Sequence, residues 1–174
     1  KIGADKLAES FYLSFGLPVV TVRPFNTFGP RQSARAVVPT IITQCLSGDT
    51  VRLGNISPTR DLNYVGNTVD GFMAAAACAD AVGKTVNLGS GREISIGELA
   101  ELIARLAGKR ISVQSDDRRI RPDASEVERL LADTSLAGSL LGWQPAVDLE
   151  TGLMRTIEWI EHNLERYRPD VYAV

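Results

Sequence analysis

The chain has 174 residues, with 19 lysines and arginines against 21 aspartates and glutamates, a net charge of -2 and 44% hydrophobic residues. That length allows one or two ordinary domains with a substantial core. The charge balance argues against a nucleic-acid-binding protein, and no apolar run approaches the roughly 20 residues that a membrane span needs.

Cysteine and histidine are too scarce for several common kinds of site. Cys45 and Cys78 lie far apart in apolar helical contexts, which argues against a disulfide framework or a zinc knuckle. The single histidine, His162, lies in a late charged helix, which argues against a His-rich metal centre and a Ser-His-Asp triad. We therefore expect no metal site, and a soluble α/β protein of the cytoplasm.

The first residues already have the pattern of a helix. Leu7, Phe11 and Phe15 are spaced four apart, which predicts one apolar helix face. Gly16 is expected to end this helix, before a buried strand at 19–22. Because nothing before Lys1 caps the helix, we expect the sequence to open inside a helix of a longer protein, as its C-terminal piece.

The rest of the chain alternates between short apolar runs and amphipathic segments, which predicts an α/β fold with parallel strands. A long loop is predicted at 23–36 and a solvated charged stretch at 116–129. Ser95 and Glu98 form a predicted capping box. Helices are predicted at 37–46, around 69–76, from 95, at 134–141 and at 149–164, and strands at 51–53, 60–65, 85–88 and 111–113.

The loop at 23–31 is the first candidate site, because ligands of open α/β sheets bind beyond the carboxyl ends of strands. Asn26 offers donors and acceptors there, and Arg31 offers a planar fork suited to phosphate. The alternative is a rigid structural turn held by its prolines.

A second candidate is Gly89-Ser90-Gly91, between a predicted strand and a helix. It lacks the third glycine of a dinucleotide fingerprint and the lysine of a P-loop, so a plain turn is favoured. Arginines on separate loops (Arg60, Arg121, Arg31 and Arg35) are a third candidate, for a diphosphate. The alternative for Arg60 is a surface ion pair with Asp61, and the sequence leaves this open.

The order of motifs resembles the extended short-chain dehydrogenase/reductases that act on nucleotide sugars. Lys1 resembles the lysine of a Tyr-x-x-x-Lys helix, and RPFNTFGPR at 23–31 resembles the loop after the next strand. Four further motifs, and the ending GWQP at 142–145, follow in family order: VVP at 37–39, TRDLNYV at 59–65, NLGSG at 87–91 and RPD at 121–123. The resemblance covers essentially the whole chain and is strongest to the bacterial 4,6-dehydratases of amino-sugar nucleotides.

The resemblance implies the fold: the C-terminal part of a Rossmann-type parallel-sheet domain with a smaller α/β substrate-binding domain. Residues 1–31 would be the last helix, strand and loop of the dinucleotide-binding domain. Residues 32–174 would form the nucleotide-sugar-binding domain, with 84–91 either within it or returned to the main sheet. The glycine-rich fingerprint, the tyrosine and the acid/base pair would lie upstream, so that this piece alone would be inactive.

The resemblance also implies residue roles. Lys1 would be the catalytic lysine that lowers the pKa of the tyrosine and holds the nicotinamide ribose. Pro24 and Phe25 would lie beside the nicotinamide of NAD. The substrate, a UDP- or other nucleotide sugar, would be bound by Asn26, Arg31, Val37, Arg60, Asn87 and Arg121.

The implied reaction begins with hydride transfer from C4 of the sugar and continues as 4,6-dehydration. Nucleotide-sugar 4-epimerases and UDP-glucuronate decarboxylases share much of the same loop and are the alternatives. A truncated, non-catalytic nucleotide-sugar-binding domain is an alternative of another class. The resemblance further implies a homodimer formed through the first helix. Without its partner segments, the Leu7/Phe11/Phe15 face would be exposed and prone to association.

Overall fold

The computed structural model describes residues 1–120 and 126–167. The α-helices are Ile2–Phe15 (α1), Val37–Ser47 (α2), Val65–Ala77 (α3), Ile96–Leu106 (α4), Ser135–Leu141 (α5) and Leu149–Glu161 (α6). The strands are Thr21–Pro24 (β1), Asn26–Phe28 (β2), Thr50–Leu53 (β3), Thr59–Arg60 (β4), Leu62–Tyr64 (β5), Thr85–Leu88 (β6), Ile94–Ser95 (β7), Ser112–Ser115 (β8) and Arg129–Leu130 (β9).

Most strand pairs are parallel, which confirms the predicted α/β class. β1 pairs with β6, β2 with β5 and β3 with β8, all in parallel. β4 lies between β9, with which it pairs in parallel, and β7, with which it pairs in an antiparallel orientation. Residues 84–91, for which both placements were left open, contain β6, which pairs with β1.

The main core is formed where α2, α4 and α6 pack together over the short strands. Ile41, Ile42, Leu99, Ile103 and Leu153 are fully buried there. A smaller cluster joins β6 to α5 and includes Val86, Leu88, Ala137 and Trp143. The apolar spacing predicted for these helices places its residues in the core because positions three and four apart share one helix face.

The helix ends agree with local sequence signals. The Glu98 N–H donates to Ser95 Oγ over 3.1 Å, and the Ser95 N–H donates to Glu98 Oε2 over 2.9 Å, which confirms the capping box. Gly16 closes α1 with a positive φ of 65° and Gly142 closes α5 with a φ of 63°. Such left-handed backbone favours glycine.

One prediction about an irregular segment was wrong and another held only in part. The loop expected at 23–36 contains β2, because residues 26–28 pair with β5. Most described residues of the stretch 116–129 are exposed as predicted, but Asp116 is buried and Arg129 begins β9. In both places the backbone pairs with a strand distant in sequence, which no local pattern of residues indicates.

The first helix differs from the others because none of its residues is buried. Leu7 is 61% exposed, Phe11 45% and Phe15 76%, so the predicted apolar face lies open in the chain described. No helix in residues 1–120 and 126–167 is long and apolar enough to span a bilayer.

Candidate functional site

A cavity of about 930 Å³ opens where β1 and β2 end. Pro24, Phe25 and Asn26 form one wall, and Val37, at the start of α2, lies beside them. Arg60 of β4 forms part of the opposite side, together with Arg119, Glu126 and Leu130 from the later part of the chain. The cavity therefore has the strand-end position expected of a ligand site in an α/β protein.

Two buried amide atoms of the cavity lining have no hydrogen-bond partner among the described residues: Nδ2 of Asn26 and Oε1 of Gln32. Gln32 itself is fixed, because its Nε2 donates to the carbonyl oxygen of Thr27 over 2.8 Å. Buried polar atoms are normally hydrogen-bonded, so an unpaired donor and an unpaired acceptor in one cavity indicate a place for a polar ligand.

Arg60 is held by three contacts and is only partly accessible. Its Nη1 donates to the carbonyl oxygens of Thr59, over 2.8 Å, and Val127, over 2.6 Å. Its Nη2 pairs with Glu126 Oε1 at 2.9 Å, where the two side chains are 14% and 13% exposed. The alternative of a surface ion pair between Arg60 and Asp61 was wrong: among the described residues Arg60 pairs with Glu126, which comes from a distant segment.

Asp61 instead serves as a fully buried structural acceptor. Its Oδ1 accepts from the Ser90 N–H and Oγ, each over 2.7 Å, and its Oδ2 accepts from the N–H groups of Gly91, over 3.0 Å, and Ala132, over 3.2 Å. The amides that a phosphate loop at 89–91 would offer to a ligand are thus bound to this carboxylate. The favoured interpretation of Gly89-Ser90-Gly91 as a turn agrees with this geometry.

Gly89 is needed at this turn because of close packing. A Cβ built there would lie 2.3 Å from Ala132 Cβ and 2.7 Å from Asp61 Oδ2. The loop can approach the carboxylate only without a side chain.

The structure brings six of the predicted site residues to one cavity: Pro24, Phe25, Asn26, Arg35, Val37 and Arg60. Three others lie outside its lining. Lys1 is exposed at the start of α1, Arg31 is exposed with a φ of 68°, and Asn87 donates through Nδ2 to the Asp133 carbonyl oxygen over 3.2 Å. The remaining prediction, Arg121, falls outside the described residues.

Sequence reasoning missed several polar side chains of the cavity, among them Gln32, Arg119 and Glu126. Gln32 lies in the candidate loop but carries no motif of its own. Arg119 and Glu126 belong to the stretch predicted to be solvated, and only the pairing of β8 and β9 with earlier strands carries that stretch to the cavity.

A second cavity, of about 1010 Å³, lies between α4 and the start of α6. Its charged groups serve the fold: Glu93 pairs with Arg129, Arg105 pairs with Glu150, and Glu98 completes the capping box of α4. Among residues 1–120 and 126–167, no group of three or more His, Cys, Asp or Glu side chains is placed to hold a metal ion.

Comparison with known families matches residues 1–156 to the family described as GDP-mannose 4,6 dehydratase. UDP-glucuronic acid decarboxylase 1 of Xenopus tropicalis is 33% identical over 178 residues, which cover 97% of this chain and 39% of that protein. A UDP-glucuronate 4-epimerase is also among the matched proteins. The chain spans about half the length, or less, of the curated relatives it matches.

Solved structures also resemble this chain. Pal from Bacillus thuringiensis is 38% identical, with a TM-score of 0.84 over 94% of this chain and 52% of that chain. The dTDP-glucose 4,6-dehydratase of Bacillus anthracis, solved in complex with NAD, is 27% identical, with a TM-score of 0.84 over 97% of this chain and 53% of that chain.

Proposed function

This chain belongs to the GDP-mannose 4,6 dehydratase family, and from that premise we propose that it forms the substrate-facing part of an NAD-dependent enzyme that modifies a nucleotide-diphosphate sugar. The observation that carries the proposal is the strand-end cavity in which an unpaired Asn26 Nδ2 lies in the same lining as Arg60. A buried neutral donor beside a guanidinium suits the oxygens of a sugar diphosphate.

The residues at the end of β1 fit the nicotinamide side of NAD. Pro24 and Phe25 line the cavity, and the Phe25 N–H is fixed by the Leu88 carbonyl oxygen over 2.8 Å. This anchors the backbone that would contact the nicotinamide. NAD, when bound, supplies the acceptor for a hydride. Lys1 would hold the nicotinamide ribose, and its ammonium would lower the pKa of a neighbouring tyrosine base.

The substrate would be bound through its diphosphate by Asn26 and Arg60 and through its nucleotide by the backbone at Val37. Arg121 would be a second diphosphate-binding arginine beside Arg60, and Arg31, Arg35 and Asn87 are weaker candidates for contacts with the substrate. The relatives act on UDP- or dTDP-linked sugars by their names, so UDP and dTDP are the first nucleotides to test.

For the reaction we propose 4,6-dehydration after hydride removal from C4. Incubation of the full-length protein with UDP-N-acetylglucosamine should yield a product lighter by one water. An unchanged mass with altered stereochemistry would favour a 4-epimerase, and loss of carbon dioxide from UDP-glucuronate would favour a decarboxylase. Tight binding of a nucleotide sugar without any product would support a non-catalytic binding domain.

The site itself is tested by calorimetry with UDP, dTDP and GDP on the full-length protein. Arg60→Ala should weaken the tightest of these by about tenfold or more, because a charged hydrogen bond contributes roughly 1.5–3 kcal/mol. Arg105→Ala is the matched control, since Arg105 is 70% exposed and pairs with Glu150 away from the cavity. Equal effects of the two variants would contradict the proposed site.

We also propose a cytoplasmic homodimer in which α1 is covered. The support is the exposed row of Leu7, Phe11 and Phe15, since such apolar patches mark protein interfaces. Sedimentation of the full-length protein should give twice the monomer mass. A monomer at micromolar concentration would contradict this proposal and leave the proposed reaction untouched.

A further inference from the structure

A short 3₁₀ helix, Asp117–Arg119, places two adjacent arginines in different surroundings. The Arg119 side chain is 14% exposed and lines the cavity of the candidate site. The Arg118 side chain is 73% exposed and is outside that lining. Both guanidinium groups contact Asp116, and only that of Arg119 also has access to the cavity.

The backbone of this turn is fixed against the cavity wall. β8 pairs in parallel with β3, and the Asp116 N–H donates to the Leu53 carbonyl oxygen over 2.8 Å. The next residue, Gly54, also lines the cavity, and a Cβ built there would lie 2.3 Å from the Arg119 carbonyl oxygen. The close approach of Gly54 to the Arg119 carbonyl group therefore fixes the position of the Arg119 backbone beside the cavity.

Asp116 fixes the direction of both guanidinium groups. It is 8% exposed, and it accepts from Arg118 Nε over 3.0 Å, Arg118 Nη2 over 3.1 Å and Arg119 Nε over 3.2 Å. The hydrogen bond from Arg118 is the largest cause that lowers the pKa of Asp116, to about 2. The carboxylate is therefore ionised at neutral pH and orients Arg119 through a charge-assisted contact.

We propose that Arg119 is a further diphosphate-binding residue of the cavity and that Asp116 is its positioning residue. This inference rests on the proposed function. The charged residues of the described lining are Arg35, Arg60 and Arg119 against Glu126, which leaves an excess of positive charge. Arg60 is paired with Glu126 and Arg119 with Asp116, so each guanidinium already has an anionic partner. Two guanidinium groups on one cavity suit the two phosphates of a diphosphate, and Arg119 supplies the second of them from the segment after β8.

The test compares Arg119→Gln with Arg118→Gln in the full-length protein. Arg119→Gln removes one side-chain hydrogen bond to Asp116 and Arg118→Gln removes two, but only the first change removes a cation from the cavity lining. Calorimetry with the tightest of UDP, dTDP and GDP should show about a tenfold or larger loss of affinity for Arg119→Gln and less than a twofold loss for Arg118→Gln. Binding of the matching nucleoside, followed by ligand-observed NMR, should be equal in both variants because it carries no phosphate.

The outcomes separate this inference from the proposed function. Equal losses in the two variants, or an equal loss for the nucleoside and its diphosphate with Arg119→Gln, would overturn the role of Arg119. If affinity depends on Arg60 but not on Arg119, only this inference fails. If the protein binds none of the three nucleotides, both it and the proposed function fail.

Discussion

Two clusters of polar groups, one around Asp61 and one around Asn26, show opposite ways of burying hydrogen-bonding atoms. Asp61 is fully buried, and four donors from two segments converge on its carboxylate. Asn26 also has a buried amide nitrogen, but that nitrogen has no partner in the part of the chain described. The saturated cluster holds the fold together, whereas the unsaturated one suits a ligand, since an unpaired buried donor is costly until something binds it.

The largest effect that would test this contrast is on stability. Asp61→Ala should lower the free energy of unfolding by roughly 3 kcal/mol or more, because several buried N–H groups lose their acceptor together. Asp61→Asn should lower the free energy of unfolding by less, because the amide keeps one oxygen that accepts hydrogen bonds. Urea denaturation of the full-length protein measures both. Asp70→Ala, on an exposed part of α3, is the control and should change stability by less than about 0.5 kcal/mol.

The second effect is on binding. Asn26→Ala should weaken binding of the nucleoside diphosphate by about tenfold or more while changing unfolding by less than about 1 kcal/mol, because the removed Nδ2 has no protein partner to lose in the described chain. Calorimetry and urea denaturation of the same preparation test both parts. A large loss of stability with unchanged affinity would reverse the contrast with Asp61.

A smaller change in affinity is expected at the ion pair in the cavity wall. Glu126 Oε1 lies 2.9 Å from Arg60 Nη2, so an anionic ligand competes with this carboxylate for the guanidinium. Glu126→Gln should therefore raise the affinity for the nucleoside diphosphate by roughly 3- to 10-fold, about 1 kcal/mol. Weaker binding by this variant in calorimetry would instead show that Glu126 contacts the ligand.

The smallest effect concerns stability in acid. The hydrogen bond from Arg118 is the main cause that lowers the pKa of Asp116 from 3.8 to about 2. A carboxylate with a lowered pKa in the folded state stabilises the fold above 3.8, and this contribution is lost as pH falls through about 2. Urea midpoints measured from pH 5 to pH 2 should fall less steeply in Asp116→Asn. If the urea midpoints of the two proteins fall equally steeply with pH, Asp116 does not contribute to the loss of stability in acid.

Much of the local structure was predictable. The spacing of Leu99 and Ile103 and the Ser95–Glu98 capping box determined α4, and the glycine-terminated helices end where expected. The family resemblance drawn from the ordered motifs was confirmed, because the family match covers residues 1–156. Six predicted site residues share one cavity, while the roles assigned to them remain predictions.

The predictions that failed concern residues whose neighbours in the fold are distant in the sequence. Asp61 was weighed as the partner of its neighbour Arg60, yet it binds the amides of Ser90 and Gly91, about 30 residues away. Arg119 and Glu126 were expected on a solvated face. The pattern of charges in their segment is the same whether the segment is solvated or folded over a cavity, so the sequence could not separate the two.

The sequence by itself determined the helices, their caps, the α/β class and the family, because each of these depends on residue types at short or ordered spacings. Tertiary structure alone decided which polar groups are satisfied and which face the cavity. The pairing of β3 with β8 and of β4 with β9 brings distant segments together. Hydrogen bonding depends on distances of about 3 Å between atoms, and only the folded chain sets those distances for segments so far apart.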